Sequence, residues 1–134
     1  MKLKTEIDNI YQSIDSLKII RESARDFALQ YIKPYVLDWD ESQHFPKEVL
    51  IKAGEFGFMG MIVPEEYGGS GLGYHEYVAV IEEISKVDAS VGVIMSVNNS
   101  LVCNLLYKYG NEHQKNTFLP KLASGKSLGS FSLS

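Results

Sequence analysis

Cysteine, net positive charge and long apolar runs are scarce in this chain, and each scarcity excludes a class of protein. Cys103 is the single cysteine among 134 residues, so neither a disulfide framework nor a cysteine-rich zinc site can form within one chain. The net charge is −4, with 13 Lys and Arg against 17 Asp and Glu, which argues against a nucleic-acid partner because such proteins concentrate basic residues. No uninterrupted run of about 18 apolar residues occurs, so no membrane span is expected.

Targeting and metal-binding signals are also missing from the sequence. The polar residues 1–6 are not followed by an apolar segment, so no secretory signal is expected. Together with the lone cysteine this favours a cytoplasmic protein. The three histidines lie far apart on polar segments, and we therefore expect no metal site.

The spacing of apolar residues predicts an all-α fold, an antiparallel bundle of about five helices, over residues 16–126. The first helix begins at Ser16 in this interpretation, and residues 1–15 form a polar lead-in. Pro34 is expected to end or kink that helix. Asp88 is suited to cap a later helix that continues to about Tyr109.

The helix predicted after Asp88 is the most apolar in the chain, and its apolar residues fall around most of the circumference. This pattern predicts a central position in the bundle. Polar residues interrupt it at 96–100, with the sequence SVNNS. A buried asparagine must find hydrogen-bond partners or face a wet cavity. Two interpretations therefore stay open, internal hydrogen bonding or one edge of a ligand cavity.

The end of the sequence combines a helix signal with a strand signal. Asn111 and Gln114 resemble a capping box for a last helix over about 112–123, which Pro120 is expected to distort or end early. Residues 127–134 alternate large and small side chains, which predicts a β-strand. A single strand cannot pair its own backbone groups, so we interpret 127–134 as the start of a separate β-domain.

Five segments in series resemble the acyl-CoA dehydrogenase family, and most closely its short-chain or butyryl-CoA members. The loop PEEYGGSG at 64–71 is similar to a glycine-rich loop of that family. The other four similar segments are the helix junction at 82–93, VNNSL at 97–101, the stretch at 110–125, and LGSFSLS at 128–134. The last of these resembles the beginning of the family's flavin-contacting strand.

The resemblance implies an FAD enzyme that oxidises the α–β bond of short or medium acyl-CoA thioesters. In the family, electrons pass to an electron-transfer flavoprotein and the enzyme is a homotetramer. Residues 16–126 would then be the helical N-terminal domain, and residues 127–134 would start the middle β-domain.

Site residues carried over by the resemblance are few. Phe131, Leu133 and Ser134 match positions that contact FAD. Met95, Asn98 and Leu101 match one wall of the acyl pocket. The family's catalytic glutamate matches no residue of this sequence, so the chain alone is expected to be inactive.

Two other functions stay open at this point. The chain could be a stand-alone helical binding or scaffold module, or the N-terminal domain of an acyl-CoA oxidase-like flavoenzyme. The reading frame beyond residue 134 and the oxygen reactivity of the full protein would separate these alternatives.

Overall fold

The computed structural model describes the backbone of residues 2–133 and the side chains of Thr5 and residues 13–133. This part of the chain is helical and contains no β-strand. The α-helices are α1 (Lys2–Phe27), α2 (Val36–Ser42), α3 (Lys47–Glu55), α4 (Tyr74–Ser85), α5 (Ala89–Ser96), α6 (Asn104–Tyr109) and α7 (Glu112–Ala123). Two π-helical turns, Ala28–Ile32 and Val97–Cys103, and two 3-10 turns, Lys33–Tyr35 and Glu65–Tyr67, complete the helical structure.

The predicted all-α fold of about five helices is confirmed. Helical structure runs without a break from α1 into α2 and from α5 into α6, so the described residues form five continuous helical segments besides the isolated 3-10 turn at Glu65–Tyr67. α1 packs against α4, α4 packs against α5, and α7 packs against α6 and the turn at Val97–Cys103.

One predicted helix boundary is wrong. α1 begins at Lys2 rather than Ser16, so residues 2–15 are helical. The apolar stripe could not reveal this, because extending a formed helix costs little and needs no buried face. The predicted bounds of the last helix, about 112–123, agree with α7. Pro120 does not end this helix early, and its last turn is anchored by buried residues on both sides of the proline, Leu119 and Leu122.

The hydrophobic core consists of two neighbouring clusters. The larger contains Ala24, Phe27, Ala28, Ile32, Leu50, Ala53, Phe58, Met59, Met61, Tyr77, Val80, Ile84, Val91 and Met95. The smaller contains Val63, Tyr67, Cys103, Leu119 and Leu122. The continuous helix made of α5, the π-helical turn and α6 contributes to both clusters. We call this segment, Ala89–Tyr109, the central helix.

The segment between α3 and α4 is an ordered loop, as its glycines predict. Its backbone closes on itself, since Leu72 N–H donates to Met61 O at 2.7 Å and Gly71 N–H donates to Val63 O at 2.9 Å. Tyr67 joins the loop to α7 by donating its hydroxyl to Glu112 at 2.8 Å. That hydrogen bond, together with burial, raises the pKa of Tyr67 to about 12, so the hydroxyl remains a donor.

A buried carboxylate joins α1 to α4. The sequence pattern indicates a solvated Glu83, but its side chain is only 2% exposed. The carboxylate accepts hydrogen bonds from Arg21 at 2.9 Å, Arg25 at 3.0 Å and Lys86 at 2.9 Å. The bond from Arg25 is the largest cause that lowers the pKa of Glu83 to about 2, and burial opposes it.

Replacing Glu83 should change how stability depends on pH. Because the folded-state pKa lies below the unfolded value of about 4.3, the stabilisation is complete above that value and is lost as the pH falls toward about 2. We expect Glu83→Gln to lower the free energy of unfolding at pH 7 by about 1–2 kcal/mol, a range reduced because the arginines are solvent-exposed. Urea unfolding at a series of pH values measures this loss.

The matched control is Glu82→Gln, which removes a neighbouring carboxylate that also contacts Arg21 and Lys86 but is 47% exposed. We expect a smaller loss at pH 7 from this variant. Equal stability of Glu83→Gln and the unmodified chain at pH 7 would contradict the role given to Glu83.

Candidate functional site on the central helix

The central helix begins at a side-chain cap and presents two different faces. The Asp88 carboxylate accepts from Ser90 N–H at 2.7 Å and Val91 N–H at 3.1 Å, which confirms the predicted cap. The inward face carries Val91, Met95, Asn98, Asn99 and Cys103, all buried. The outward face carries the apolar side chains Val93, Leu101, Leu105 and Tyr109, which are 61%, 43%, 48% and 81% exposed. We call these four residues the outer stripe.

The composition of the central helix fits its place in the domain. Ala89–Tyr109 is long and apolar enough to cross a membrane, the one such helix in the part of the chain that the structure describes. Core helices of soluble proteins meet the same criterion. In this fold the inward residues pack into both hydrophobic clusters, so packing within the domain accounts for part of that apolar character.

Asn98 is fully buried, and its amide joins three parts of the structure. The Nδ2 group donates to Met59 O at 2.8 Å in the loop and to Leu122 O at 3.3 Å in α7. The Oδ1 atom accepts from Gly129 N–H at 2.9 Å in the segment after α7. Both ends of the amide are therefore engaged inside the protein.

Asn99 is also fully buried, and its amide binds the loop but no other described element outside the central helix. Its Nδ2 group donates to Phe58 O at 2.9 Å and, within the helix, to Met95 O at 2.9 Å. Its Oδ1 atom accepts from Met61 N–H at 2.8 Å. Internal hydrogen bonding, one of the two interpretations of this polar stretch, is confirmed for Asn98 and Asn99.

The three residues predicted to line an acyl pocket lie at different depths. Met95 and Asn98 are fully buried, whereas Leu101 is 43% exposed and belongs to the outer stripe. Only Leu101 could therefore touch a ligand in this conformation, and the other two would support the wall from behind. Their role in substrate binding stays a prediction.

The residues predicted to contact flavin lie at the surface. Phe131 is 49% exposed and Leu133 is 87% exposed, whereas Ser134 lies outside the described residues. The expected β-strand is not formed in residues 127–133. The reason is that the neighbouring element is a helix with paired backbone groups, so it offers side chains rather than a ladder of donors and acceptors.

The structure brings the residues that precede Phe131 and Leu133 against the central helix. Leu128 packs against the larger cluster, and Gly129 lies so close to the central helix that an added Cβ would be 2.6 Å from the Cβ of Val102. The hydrogen bond between Gly129 and Asn98 is the polar part of this contact. The predicted flavin segment thus starts on the helix that carries the predicted acyl wall.

Sequence reasoning missed two members of the outer stripe that flank Leu101. Val93 and Leu105 share its exposed face, and their spacing from Leu101, eight and four residues, was the available signal. Ser96 lies between Val93 and Leu101 along the same helix. The hydroxyls of Tyr77 and Ser96 are 2.8 Å apart, so they satisfy each other.

Neither a metal centre nor a reactive thiol occurs among the described residues. No group of three or more His, Cys, Asp or Glu side chains in this part of the chain could hold a metal ion. Burial raises the pKa of Cys103 to about 12, so the thiol stays protonated and is a poor nucleophile.

Comparison with known proteins identifies the domain. The family model described as acyl-CoA dehydrogenase, N-terminal domain, matches residues 15–126. An acyl-CoA dehydrogenase of Bacillus subtilis is 43% identical over 115 residues, which cover 86% of this chain and 30% of that protein. The mitochondrial short-chain specific acyl-CoA dehydrogenase of Bos taurus is 40% identical over 131 residues, covering 96% of this chain and 32% of that protein.

A solved structure shows the same fold. A glutaryl-CoA dehydrogenase from Mycobacterium smegmatis, in complex with FADH2, superimposes with a TM-score of 0.81 at 33% identity over 84% of this chain and 29% of that one. The chain therefore belongs to the acyl-CoA dehydrogenase family, in its N-terminal domain, and the resemblance of the motifs is confirmed. It spans about 30% of the length of the curated relatives it matches.

Removing the Asn99 amide should destabilise the domain. Asn99→Leu leaves Met61 N–H and Phe58 O buried without partners, and we expect the free energy of unfolding to fall by about 2–5 kcal/mol. Urea unfolding followed by circular dichroism measures the loss. Asn104→Leu is the control, because this partly exposed residue accepts a single long hydrogen bond of 3.3 Å from Tyr74. An equal loss in the two variants would refute the account.

Proposed function

We propose that this chain is the N-terminal domain of an FAD-dependent acyl-CoA dehydrogenase that oxidises the α–β bond of short or medium acyl-CoA thioesters. The observation that carries the proposal is that, in a chain of this family, one helix carries an exposed apolar stripe and also binds the start of an apolar segment. The central helix exposes the outer stripe, and its Asn98 accepts the Gly129 N–H two residues before the exposed Phe131. The short-chain relative supports the preference for small acyl groups.

The outer stripe is suited to form one wall of an acyl slot. Its side chains are aliphatic at Val93, Leu101 and Leu105, and each methylene of a substrate buried against such a surface contributes about 0.8 kcal/mol. A wall of this kind selects by length and shape. It supplies no acid or base, so the proton transfer of the proposed reaction needs groups from the rest of the enzyme.

The residues at the end of the chain fit a flat cofactor. Phe131 and Leu133 expose apolar side chains two and four residues after Gly129, which is bound to the central helix, and an apolar surface of this kind suits an isoalloxazine ring. When bound, the flavin would supply the two-electron oxidant that formation of a carbon–carbon double bond requires. A single segment covers only one edge of such a ring, so the chain alone is expected to bind FAD weakly and to be inactive.

Assembly and electron transfer complete the proposal. Large apolar side chains are exposed away from the site as well, among them Leu37 at 76% and Val78 at 57%. Such surfaces suit a domain that packs against further protein, as a homotetramer provides. An electron-transfer flavoprotein would accept the electrons, and the free, buried Cys103 is compatible with the reducing cytoplasm.

The proposed activity can be tested on the product of the complete reading frame. We expect purified protein to carry FAD and its visible absorbance to be bleached when butyryl-CoA is added without oxygen. The 134-residue chain is the control and should lose flavin during gel filtration. Rapid reoxidation by oxygen would indicate an oxidase-like enzyme instead. If the reading frame stops near residue 134 and its product binds no flavin, the dehydrogenase proposal is refuted and the scaffold function remains.

Substitution of Leu101 tests the acyl wall in that complete enzyme. Leu101→Ala should raise the KM for butyryl-CoA by about fourfold, the factor for losing the contact of one methylene of about 0.8 kcal/mol, and should improve turnover of longer chains. Leu37→Ala on α2 is a control with a more exposed leucine, 76% against 43% for Leu101, outside the proposed site. Steady-state assays with acyl-CoA substrates of increasing chain length measure these effects. If both variants show the same dependence of KM on chain length, Leu101 is not part of the acyl wall.

A further inference from the structure

We propose that Asn98 is a positioning residue that holds the flavin-facing segment, residues 128–133, against the central helix. The attachment of this segment to the central helix follows from the geometry of the described residues. Its consequence for flavin binding rests on the proposed function. Asn98 would touch neither ligand, because its side chain is fully buried.

The orientation of the Asn98 amide is set before it meets the segment. Nδ2 is fixed by two carbonyl acceptors on different elements, Met59 O of the loop and Leu122 O of α7. These bonds decide which end of the amide is the acceptor and where Oδ1 lies. A pre-oriented acceptor loses little side-chain entropy when it takes up the Gly129 N–H.

The segment has few other ties to the domain. Within residues 128–133 as described, the Gly129 amide is the one backbone N–H with a hydrogen-bond partner. The apolar part of the attachment consists of Leu128, which packs against the larger cluster, and of the close approach of Gly129 to Val102. Phe131 and Leu133 follow with exposed side chains. Their place on the surface therefore depends strongly on Gly129.

Asn98 and Asn99 have different hydrogen-bond partners outside the loop. Both are fully buried and both bind the backbone of the loop, but only Asn98 binds Gly129. Leu101 of the outer stripe lies three residues after Asn98 on the same helix. The same helix thus carries the proposed acyl wall and binds the beginning of the flavin-facing segment.

Hydrogen exchange on the 134-residue chain tests, without any cofactor, whether Asn98 attaches the segment to the central helix. We expect Asn98→Ala to accelerate exchange of the Gly129 amide about tenfold relative to Asn99→Ala, the factor that one hydrogen bond of roughly 1.4 kcal/mol provides. Both variants lose a buried amide, so the comparison removes the shared loss of stability. Equal Gly129 exchange in the two variants would overturn the inference.

A second variant keeps the test decisive if Asn98→Ala does not fold. Gly129→Ala leaves both asparagines intact, but its Cβ would lie 2.6–2.8 Å from side-chain carbons of Val102, so the segment must move away. We expect faster exchange at residue 129 with unchanged exchange in α4. Unchanged exchange at residue 129 would show that the close contact does not hold the segment.

Flavin affinity of the complete protein tests the consequence. We expect Asn98→Ala and Gly129→Ala to raise the Kd for FAD about tenfold, which corresponds to about 1.4 kcal/mol, and Asn99→Ala to change it much less. Equal effects of Asn98→Ala and Asn99→Ala would overturn the flavin part of the inference. A wild-type protein that binds no FAD would refute the proposed function itself, while the exchange experiment would still decide whether Asn98 holds the segment.

Discussion

The hydrogen bonds of Asn98 and Asn99 are the constraint on which the site depends. The loop between α3 and α4 places Phe58, Met59 and Met61 in the core without regular secondary structure around them. Their backbone groups are then buried, and a buried amide or carbonyl without a partner is costly. The two asparagine amides supply partners to one group of each of these three residues. An irregular segment can therefore form part of the hydrophobic core.

The same bonds set the rotation of the central helix. With both asparagines turned toward the loop, Met95 and Cys103 also face inward, whereas Leu101 and Leu105 face outward. The π-helical turn contributes to this arrangement, because each such turn contains an extra residue and shifts the phase between α5 and α6. One helix can then present apolar side chains to the core and to the outside. Its composition is more apolar than a half-buried helix of a closed domain would need.

The features that could be predicted from the sequence are those set by neighbouring residues. Asp88 caps the central helix, and Asn111 with Gln114 forms the capping box of α7, since a cap involves residues two or three apart. Apolar spacing likewise predicted the helical bundle. Fifty-eight residues separate Glu83 from its partner Arg25, so no local pattern could reveal that its carboxylate is buried.

The candidate site was predictable to a similar extent. The position of the polar stretch within an apolar helix indicated that Asn98 and Asn99 either form internal hydrogen bonds or face water. It did not indicate which of these two arrangements occurs. The deciding partners, Met59, Met61 and Gly129, lie 31 to 39 residues away along the chain. The start of α1 was missed for a different reason. Extending a helix that has already formed costs little, so hydrophobic periodicity is a weak guide to the residue at which such a helix begins.

The end of the chain shows why a strand pattern need not give a strand. Alternating large and small residues are expected where one face of a strand is buried. In this domain Leu128 is partly buried and Gly129 lies on Val102, but Phe131 and Leu133 remain exposed. The helical domain therefore satisfies only the beginning of the pattern. The pattern loses its buried face directly after the hydrogen bond between Asn98 and Gly129, because the helix offers no strand against which Phe131 and Leu133 could pair.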